Sequence, residues 1–353
     1  MGLEASLKGE KWVWKSLPKG EGCVGSLSQG RGMGLEVPLR GEKCVWKSLP
    51  EGVEWVWKPL PEGEGQINIS PSETLIKKDR VMKVKDKVIL VTGAGGGMGR
   101  ELVLNLIKKG ARVVALDLNP TALQGTVEKA GELKDRVAPV VANITDRALI
   151  ESLKDEVIGK FGQLDGLINN AGIIQKFSAL ADTPYAEIER VMNINFYGTL
   201  YVLKTFLPYL LQRPEAHVVN VASMGSFLPV PGQVTYGASK AAVKLMTEGL
   251  MCELADTHCQ VSVVFPGSIA TNIQKNSGAS KVEISKELIE KNKGFLLTMP
   301  EDAAETIVHG MERGKKRIKI GHDCKAMDKL TRLAPNLAGK LITKAMKGKI
   351  ELE

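Results

Sequence analysis

Apolar runs alternate with segments of helical periodicity over residues 87–320. Such alternation is typical of a parallel sheet covered by helices on both faces. Long helices are predicted over residues 183–211 and 234–255. The pattern predicts an α/β fold with a doubly wound parallel sheet of about seven strands in one domain, with ligands beyond the carboxyl ends of the strands. The predicted strands begin near Lys87, Ala111, Val137, Leu164, Ala216, Gln260 and Lys316.

A glycine-rich turn follows the apolar run of residues 87–92 and precedes a segment with helical spacing. Strand, glycine turn and helix in this order indicate a dinucleotide-binding fingerprint. Glycines allow a sharp turn and close approach of a pyrophosphate, which the helix amino end attracts with its free N–H groups. An ordinary glycine-rich loop is the alternative interpretation. The candidate residues in this turn are Gly93, Gly95, Gly97, Met98 and Gly99.

Asp117 ends the next apolar run, eighteen residues after Gly99. An acidic residue about 20 positions on typically binds the adenosine ribose of NAD. A carboxylate there accepts hydrogen bonds from the ribose hydroxyls and repels a 2′-phosphate, so the expected cofactor is NAD in preference to NADP. Arg100 and Arg112 are nearby basic residues that would soften this discrimination. Asp117 as a plain turn residue at the strand end is the alternative.

Tyr236 and Lys240 lie four residues apart on a predicted helix, and Ser223 precedes the tyrosine by thirteen residues. Residues four apart share a helix face, so the phenol and the ammonium would point into the same space. A nearby ammonium lowers the pKa of a phenol, which is about 10 when free. The spacing therefore indicates a proton donor tuned by a cation, although a half-buried phenol beside a solvated amine has the same spacing.

In the order of these motifs the chain resembles the classical short-chain dehydrogenase/reductase family, from about Lys83 to about Gly321. The glycine turn resembles the cofactor motif of that family, and Asn169-Asn170-Ala171-Gly172 resembles its central-strand motif. Asn195, Ser223, Tyr236 and Lys240 match its catalytic tetrad. Pro266-Gly267, with Ile269 and Thr271, resembles the segment that flanks the nicotinamide. The resemblance implies a Rossmann-like fold and an NAD(P)-dependent oxidoreductase.

The resemblance also implies roles for the matching residues. Tyr236 would exchange a proton with the substrate oxygen, and Ser223 would hydrogen-bond that oxygen. Lys240 would hold the nicotinamide ribose and lower the pKa of Tyr236, while Asn195 would bend its helix and hold a water that links Lys240 to solvent. Capping of a strand end by Ser223 and a purely structural kink at Asn195 remain alternatives. The further cofactor-binding residues implied are Asn143, Ile144, Asn170, Ala171, Gly172, Pro266, Gly267, Ile269 and Thr271; at Asn143 the family often has Asp.

The chain divides by composition into three parts. Residues 1–81 hold three copies of a Trp-Lys-Leu-Pro pattern, at 12–18, 44–50 and 55–61, joined by Gly-Glu-Gly stretches that suit no packed core. We expect a disordered extension there, with a peptide ligand for a partner as the alternative. Residues 82–322 are the expected NAD-binding short-chain dehydrogenase domain. Within it, residues 272–297 are polar and charged, and by position would cover the substrate.

Residues 323–353 form a basic amphipathic tail. The segment 313–350 carries twelve Lys or Arg and two Asp. Its net charge of +10 exceeds the net charge of +8 of the whole chain. Such a tail packs one face on its own domain or contacts an anionic membrane surface weakly. Nucleic acid is not expected, because no aromatic residues interleave with the charge.

The cysteines and the apolar content bear on compartment and on other classes of site. Five cysteines without a C-x-x-C pair suit a reducing compartment, so a cytoplasmic protein is expected, with peripheral membrane association as a variant. The opening residues lack the apolar run of a secretory signal, and no segment reaches about 20 apolar residues. The histidines show no metal-ligand spacing, so no metal is expected.

The expected function is NAD(P)-dependent interconversion of a secondary alcohol and a ketone, with a small carbonyl or alcohol substrate and, by resemblance, a homo-oligomer. An NADP-dependent 3-oxoacyl reductase and a non-catalytic nucleotide-sensing scaffold are the alternatives.

Overall fold

The computed structural model describes residues 4–7, 10–16, 23–25 and 55–57, and then residues 81–271, 273–279 and 297–346. The chain separates into two compact units, Met1–Ile76 and Lys77–Glu353. The expected substrate-covering residues 272 and 280–296 and the last residues of the tail, 347–353, lie outside the described residues.

In the first unit the described residues form four short strands: β1 Glu4–Leu7, β2 Glu10–Ser16, β3 Cys23–Gly25 and β4 Trp55–Trp57. They pair antiparallel in the order β1-β2-β3-β4. The sequence predicted no regular structure here, because Gly-Glu-Gly stretches surround short apolar runs such as Trp12-Val13-Trp14. The prediction for the rest of this unit concerns residues outside the described ones.

The second unit contains a parallel sheet of seven strands, as the sequence predicted. The strands are β5 Val88–Thr92, β6 Arg112–Asp117, β7 Val137–Val141, β8 Gly166–Asn169, β9 Ala216–Val221, β10 Cys259–Pro266 and β11 Arg317–Ile320. Their order is β11-β10-β9-β8-β5-β6-β7, and every pair is parallel. The order reverses between β5 and β8, which creates a crevice at the carboxyl ends of these two strands.

Helices cover both faces of this sheet. They are α1 Gly97–Lys108, α2 Pro120–Lys129, α3 Arg147–Ser152, α4 Lys154–Gly159, α5 Tyr185–Met192, α6 Thr199–Leu210, α7 Val234–Glu253, α8 Ile273–Asn276, α9 Pro300–Met311, α10 His322–Leu333 and α11 Pro335–Met346. Short 3-10 helices cover Gly131–Arg136 and Met224–Ser226, and a π-helix, Asn193–Gly198, joins α5 to α6.

Two large apolar clusters lie on opposite sides of the sheet. Alternate residues of one strand serve both: Ile89 and Val91 face the α1–α9 side, while Val88 and Leu90 face the α6 side. Because both faces are buried, the central strands are continuous apolar runs and not alternating ones. None of the helices within the described ranges is long and apolar enough to cross a bilayer.

Candidate active site

The glycine turn between β5 and α1 is closely packed on one side and open in front of the helix. Gly93 and Gly97 have φ of +68° and +50°, which other residues adopt at a cost. A Cβ on Gly99 would overlap the carbonyl oxygen of Gly93. No side chain of the described residues caps α1, and a Cβ on Gly96 would meet nothing closer than Asn276 Nδ2 at 4.0 Å. The N–H groups of the first turn are therefore free to bind an anion.

Asp117 faces this turn from the end of β6. Its Oδ2 accepts a hydrogen bond of 2.8 Å from the N–H of Gly95, and its Oδ1 accepts one of 2.9 Å from the N–H of Asn119. A Cβ on Gly95 would lie 2.9 Å from the carboxyl carbon of Asp117. The carboxylate is thus held at the rim of the anion site, with the exposed side chain of Leu118 beside it.

The two arginines considered near Asp117 have other partners. The Arg100 guanidinium donates to the carbonyl oxygens of Gly95 and Ala122 and to Thr126 Oγ1, so it braces the turn against α2. Arg112 begins β6, at the opposite end of this strand from Asp117, and its guanidinium lies over the ring of Phe161 at 5.2 Å. The expectation that Arg112 softens the cofactor choice is therefore wrong.

Two further candidates follow β7. Asn143 is exposed, and its Oδ1 accepts hydrogen bonds from the N–H of Thr145 at 3.0 Å and from Thr145 Oγ1 at 2.9 Å. Ile144 is buried against the π-helix: a Cβ on Gly198 would lie 2.7 Å from its Cδ1. Asn143 thus makes a local turn, while Ile144 packs towards the helix that carries Asn195.

Thr92 and Asn170 join the two strands that flank the crevice. Thr92 Oγ1 accepts hydrogen bonds of 3.1 Å from the N–H groups of Asn170 and Ala171. In return, Asn170 Nδ2 donates to the carbonyl oxygen of Thr92 at 3.1 Å. These bonds hold the two strand ends together where the sheet has no further ladder. Asn170 therefore has a structural role here, while Met98 packs against the apolar core beside α1.

Asn195 is buried in the π-helix and clamps the chain that leaves β8. Its Oδ1 accepts from the N–H of Ile173 at 2.8 Å, and its Nδ2 donates to the carbonyl oxygen of Ile173 at 2.9 Å and to Ser239 Oγ at 3.0 Å. Ser239 Oγ donates in turn to the carbonyl oxygen of Tyr236 at 2.7 Å. A π-bulge inside a helix is a frequent feature of functional sites, and here it directs this amide inward.

Tyr236, Lys240 and Ser223 meet at the carboxyl ends of β9 and β10. Ser223 caps the 3-10 helix after β9, and its side chain hydrogen-bonds the phenol of Tyr236. Lys240 is buried one turn further along α7, and its Nζ donates to the carbonyl oxygen of Val221 at 2.9 Å. A Cβ on Gly172 would lie only 3.0 Å from this Nζ and 3.1 Å from Asn195 Oδ1. The four tetrad positions therefore surround one point in the crevice.

The pKa values at this point differ from the prediction made from the sequence. Burial raises the pKa of the Tyr236 phenol, and the hydrogen bond with Ser223 lowers it only in part. Burial lowers the pKa of the Lys240 amine to about 8. The sequence predicted that Lys240 lowers the tyrosine pKa; in this arrangement the amine binds Val221 and the phenol favours its neutral form.

The segment after β10 closes the other side of the crevice. The N–H of Gly267 donates to the carbonyl oxygen of Ile320 at 3.0 Å, and Ile269 pairs with Thr298. Thr271 reaches the glycine turn, where its Cγ2 would lie 3.3 Å from a Cβ on Gly97. The chain from Pro266 to Thr271 therefore runs from the sheet edge to the anion site.

Gln175 and Ser277 are two residues of this site that the sequence analysis did not identify. Gln175 is buried, and its Oε1 accepts a hydrogen bond from the N–H of Tyr236. Ser277 Oγ accepts from the N–H of Ile174 at 3.0 Å, and its carbonyl oxygen accepts from Arg190 Nη2 at 3.0 Å. The only available signal for Gln175 was a polar residue directly after two isoleucines.

Comparison with known proteins agrees with this geometry. A family model described as short chain dehydrogenase matches residues 87–282. The putative oxidoreductase SadH of Mycobacterium tuberculosis is 33% identical over 259 residues, which cover 72% of this chain and 94% of that protein. The 3-oxoacyl-(acyl-carrier-protein) reductase FabG of Thermotoga maritima is 33% identical over 227 residues, or 64% of this chain and 91% of that protein.

Solved structures show the same fold. A short chain dehydrogenase/reductase from Burkholderia phymatum in complex with NAD superposes with a TM-score of 0.65 at 24% identity, over 72% of this chain and 96% of that one. An NAD⁺-bound xylitol dehydrogenase superposes with a TM-score of 0.59 at 25% identity, over 68% of this chain and 99% of that one. The family match covers more than half of the chain, and the motifs that carry it meet in one crevice. The chain is an oxidoreductase of the short-chain dehydrogenase/reductase family.

Proposed function

We propose that this protein interconverts a secondary alcohol and a ketone with NAD as the hydride carrier and Tyr236 as the general acid or base. The observation that carries the proposal is the contact between the phenol of Tyr236 and the hydroxyl of Ser223, one helical turn from the buried amine of Lys240. A carbonyl oxygen placed between the phenol and the serine hydroxyl would receive a proton from one and a hydrogen bond from the other.

The glycine turn and Asp117 fit a dinucleotide. The free N–H groups at the start of α1 would bind its pyrophosphate, and a side chain at Gly95 or Gly99 would collide with Asp117 or with the carbonyl oxygen of Gly93 and so disturb the turn that holds these groups. Asp117 would accept from the adenosine ribose hydroxyls, and the nicotinamide supplies the hydride when bound. Asp117 supports NAD over NADP because its carboxylate would face the 2′-phosphate, with Arg100 engaged by Gly95, Ala122 and Thr126.

The protonation states favour proton donation by Tyr236. A phenol with a raised pKa keeps its proton near neutral pH, so it is ready to act as an acid towards a carbonyl oxygen. A Lys240 amine with a pKa of about 8 is mostly protonated at pH 7 and therefore stays cationic at the site. Acting as a base in alcohol oxidation requires a lower phenol pKa, which a positive charge brought next to Tyr236 would provide.

A second candidate is reduction of 3-oxoacyl groups with NADPH, which the similarity to FabG of Thermotoga maritima supports. The similarity to the NAD⁺-bound xylitol dehydrogenase supports the first candidate. The two differ in cofactor and in substrate. The side chain of Asp117 favours the first.

The test is a panel of polyols, small ketones and 3-oxoacyl thioesters assayed with NAD(H) and NADP(H) in parallel. We expect turnover with NAD(H), a loss of at least about a thousand-fold in Tyr236→Phe, and unchanged NADH binding in that variant. Tyr185→Phe is the matched control, since Tyr185 is 83% exposed. Undiminished turnover in Tyr236→Phe would refute the mechanism, and turnover with NADPH alone on the thioesters would select the second candidate.

A further inference from the structure

The two C-terminal helices leave a row of leucines exposed to solvent. Leu333, at the end of α10, is 85% exposed, and Leu337 and Leu341 of α11 are 49% and 45% exposed. Helix α11 packs on α10 with Ala338 as its buried residue. Because Leu337 and Leu341 lie four residues apart, they form one ridge on the outer face of α11.

The charges around this ridge are positive. Lys340 and Lys344 follow Leu337 and Leu341 by three residues, so they flank the ridge on the same face. The two carboxylates of these helices, Asp323 and Asp328, have other partners. Asp323 accepts hydrogen bonds from the N–H groups of Ser268 and Cys324. Asp328 is buried and pairs with Lys319 and Arg332.

The contacts of Asp323 and Asp328 fix α10 on the sheet. Asp328 joins α10 to β11 through Lys319, at 2.8 Å, and Cys324 Sγ donates to the carbonyl oxygen of Phe265 at 3.1 Å. Helix α10 also packs against the 3-10 helix Met224–Ser226. The leucine ridge therefore lies on a helix, α11, that packs on the firmly attached α10.

We propose that this face of α10–α11 docks on a membrane surface that contains anionic lipids. The leucines would enter the boundary between headgroups and acyl chains, and the lysines would extend their stems along the ridge and place their ammonium groups among lipid phosphates. Helix α11 has 12 residues, too few to span a bilayer, so it lies in the plane of the interface. Each lysine adds attraction to the negative surface.

Two other occupants fit this face less well. A second copy of this chain docked symmetrically would place Lys340 and Lys344 opposite their own equivalents, and like charges oppose each other. Nucleic acid would leave the leucines uncovered, and residues 322–346 contain no Phe, Tyr or Trp on which a base could stack.

The experiment is flotation of the full chain with vesicles of phosphatidylcholine alone and of phosphatidylcholine with phosphatidylserine. We expect binding at least about ten-fold tighter to the anionic vesicles, weakened by raising NaCl from about 0.05 to about 0.5 M. Leu337→Gln/Leu341→Gln and Lys340→Glu/Lys344→Glu should each lose at least about ten-fold in affinity. Unfolding temperatures equal to that of the parent protein would show that the variants fold.

Matched controls distinguish binding through this face from nonspecific hydrophobic or electrostatic binding to vesicles. Leu245→Gln changes a leucine of α7 that is 69% exposed, and Lys129→Glu/Lys134→Glu reverses two exposed lysines elsewhere; neither should change vesicle binding. Absence of binding to anionic vesicles, or equal losses in the controls, overturns the proposal. So does a leucine variant that alters the sedimentation of the free protein while vesicle binding stays the same, because the ridge would then be a contact between copies.

Discussion

The side-chain carbonyl oxygen of Gln175 accepts a hydrogen bond of 2.8 Å from the backbone N–H of Tyr236. This N–H is one of the donors that the first turn of α7 leaves without an intrahelical partner. Ser239 Oγ donates to the carbonyl oxygen of the same tyrosine. Both polar groups of the Tyr236 backbone are thus held by buried side chains, and this fixes where the phenol lies.

Replacing Gln175 should therefore impair turnover more than folding. Gln175→Met, which keeps the volume and removes the acceptor, should cost about 1 kcal/mol of stability, as loss of a helix cap does. Because the phenol would lose its fixed position, kcat should fall at least about ten-fold, with NADH affinity unchanged. Steady-state kinetics, NADH titration and thermal unfolding check these three values.

Asp146 provides the control for Gln175. Its Oδ1 accepts from the N–H of Leu149 at 3.0 Å and caps α3, an exposed position. Asp146→Ala should lose a similar free energy of unfolding with kcat unchanged. A Gln175→Met enzyme with parental kcat would show that the hydrogen bond supports only the helix.

The sequence predicted the parallel sheet and the face of α7 on which Tyr236 and Lys240 lie, but it did not predict the contact between Gln175 and Tyr236. Strands buried on both faces are continuous apolar runs, so β9 begins at the predicted residue Ala216. Helix geometry alone places Tyr236 and Lys240 on one face. Gln175 meets Tyr236 across 61 positions of sequence, and no local periodicity reports such a contact.

The hydrogen-bond partner of the Lys240 amine could not be predicted from the sequence either. Spacing gives the face of α7 on which the side chain lies, while the destination of its Nζ depends on the carbonyl oxygen of Val221, which belongs to a different element. The direction of the Tyr236 pKa shift likewise depends on the tertiary structure, which buries the phenol. Burial acts on both groups, and it opposes the charge on each of them.

Asp117 should determine the preference for NADH over NADPH. Asp117→Asn removes the charge with little change in shape and leaves a carbonyl oxygen that can accept from the N–H of Gly95. Since like-charge repulsion with a 2′-phosphate would be lost, the ratio of kcat/KM for NADPH to that for NADH should rise at least about ten-fold. Kinetics with both cofactors measure this ratio, and Asp135→Asn, at an exposed aspartate of the 3-10 helix, should leave it unchanged. An unaltered ratio in Asp117→Asn would remove Asp117 from cofactor selection.

Gly99 and Gly249 should respond in opposite ways to the same substitution. A Cβ on Gly99 would overlap the carbonyl oxygen of Gly93 and crowd Asn170 Nδ2, while a Cβ on Gly249 in α7 meets nothing within 4 Å. Gly99→Ala should lose about 1–3 kcal/mol or more in stability and most of its NADH affinity, because the turn must open. Gly249→Ala should gain up to about 1 kcal/mol in stability, because alanine has a higher helix propensity than glycine. Chemical unfolding and NADH titration check both variants, and tight NADH binding by Gly99→Ala would contradict the close packing of the turn.

His217 should make the protein less stable in mild acid. It is fully buried in β9, its Nε2 lies 2.7 Å from Ser262 Oγ, and burial lowers its pKa to about 3 from an ordinary value near 6.5. Between these two values the unfolded chain binds a proton that the folded chain does not, so unfolding takes up protons there. The contribution of His217 is complete above pH 6.5 and falls by about 1.4 kcal/mol for each unit below it, towards pH 3. In urea unfolding at several pH values, His217→Gln should flatten this slope, whereas His258→Gln, at an exposed histidine, should retain it. A parental slope in His217→Gln would assign the acid sensitivity to other groups.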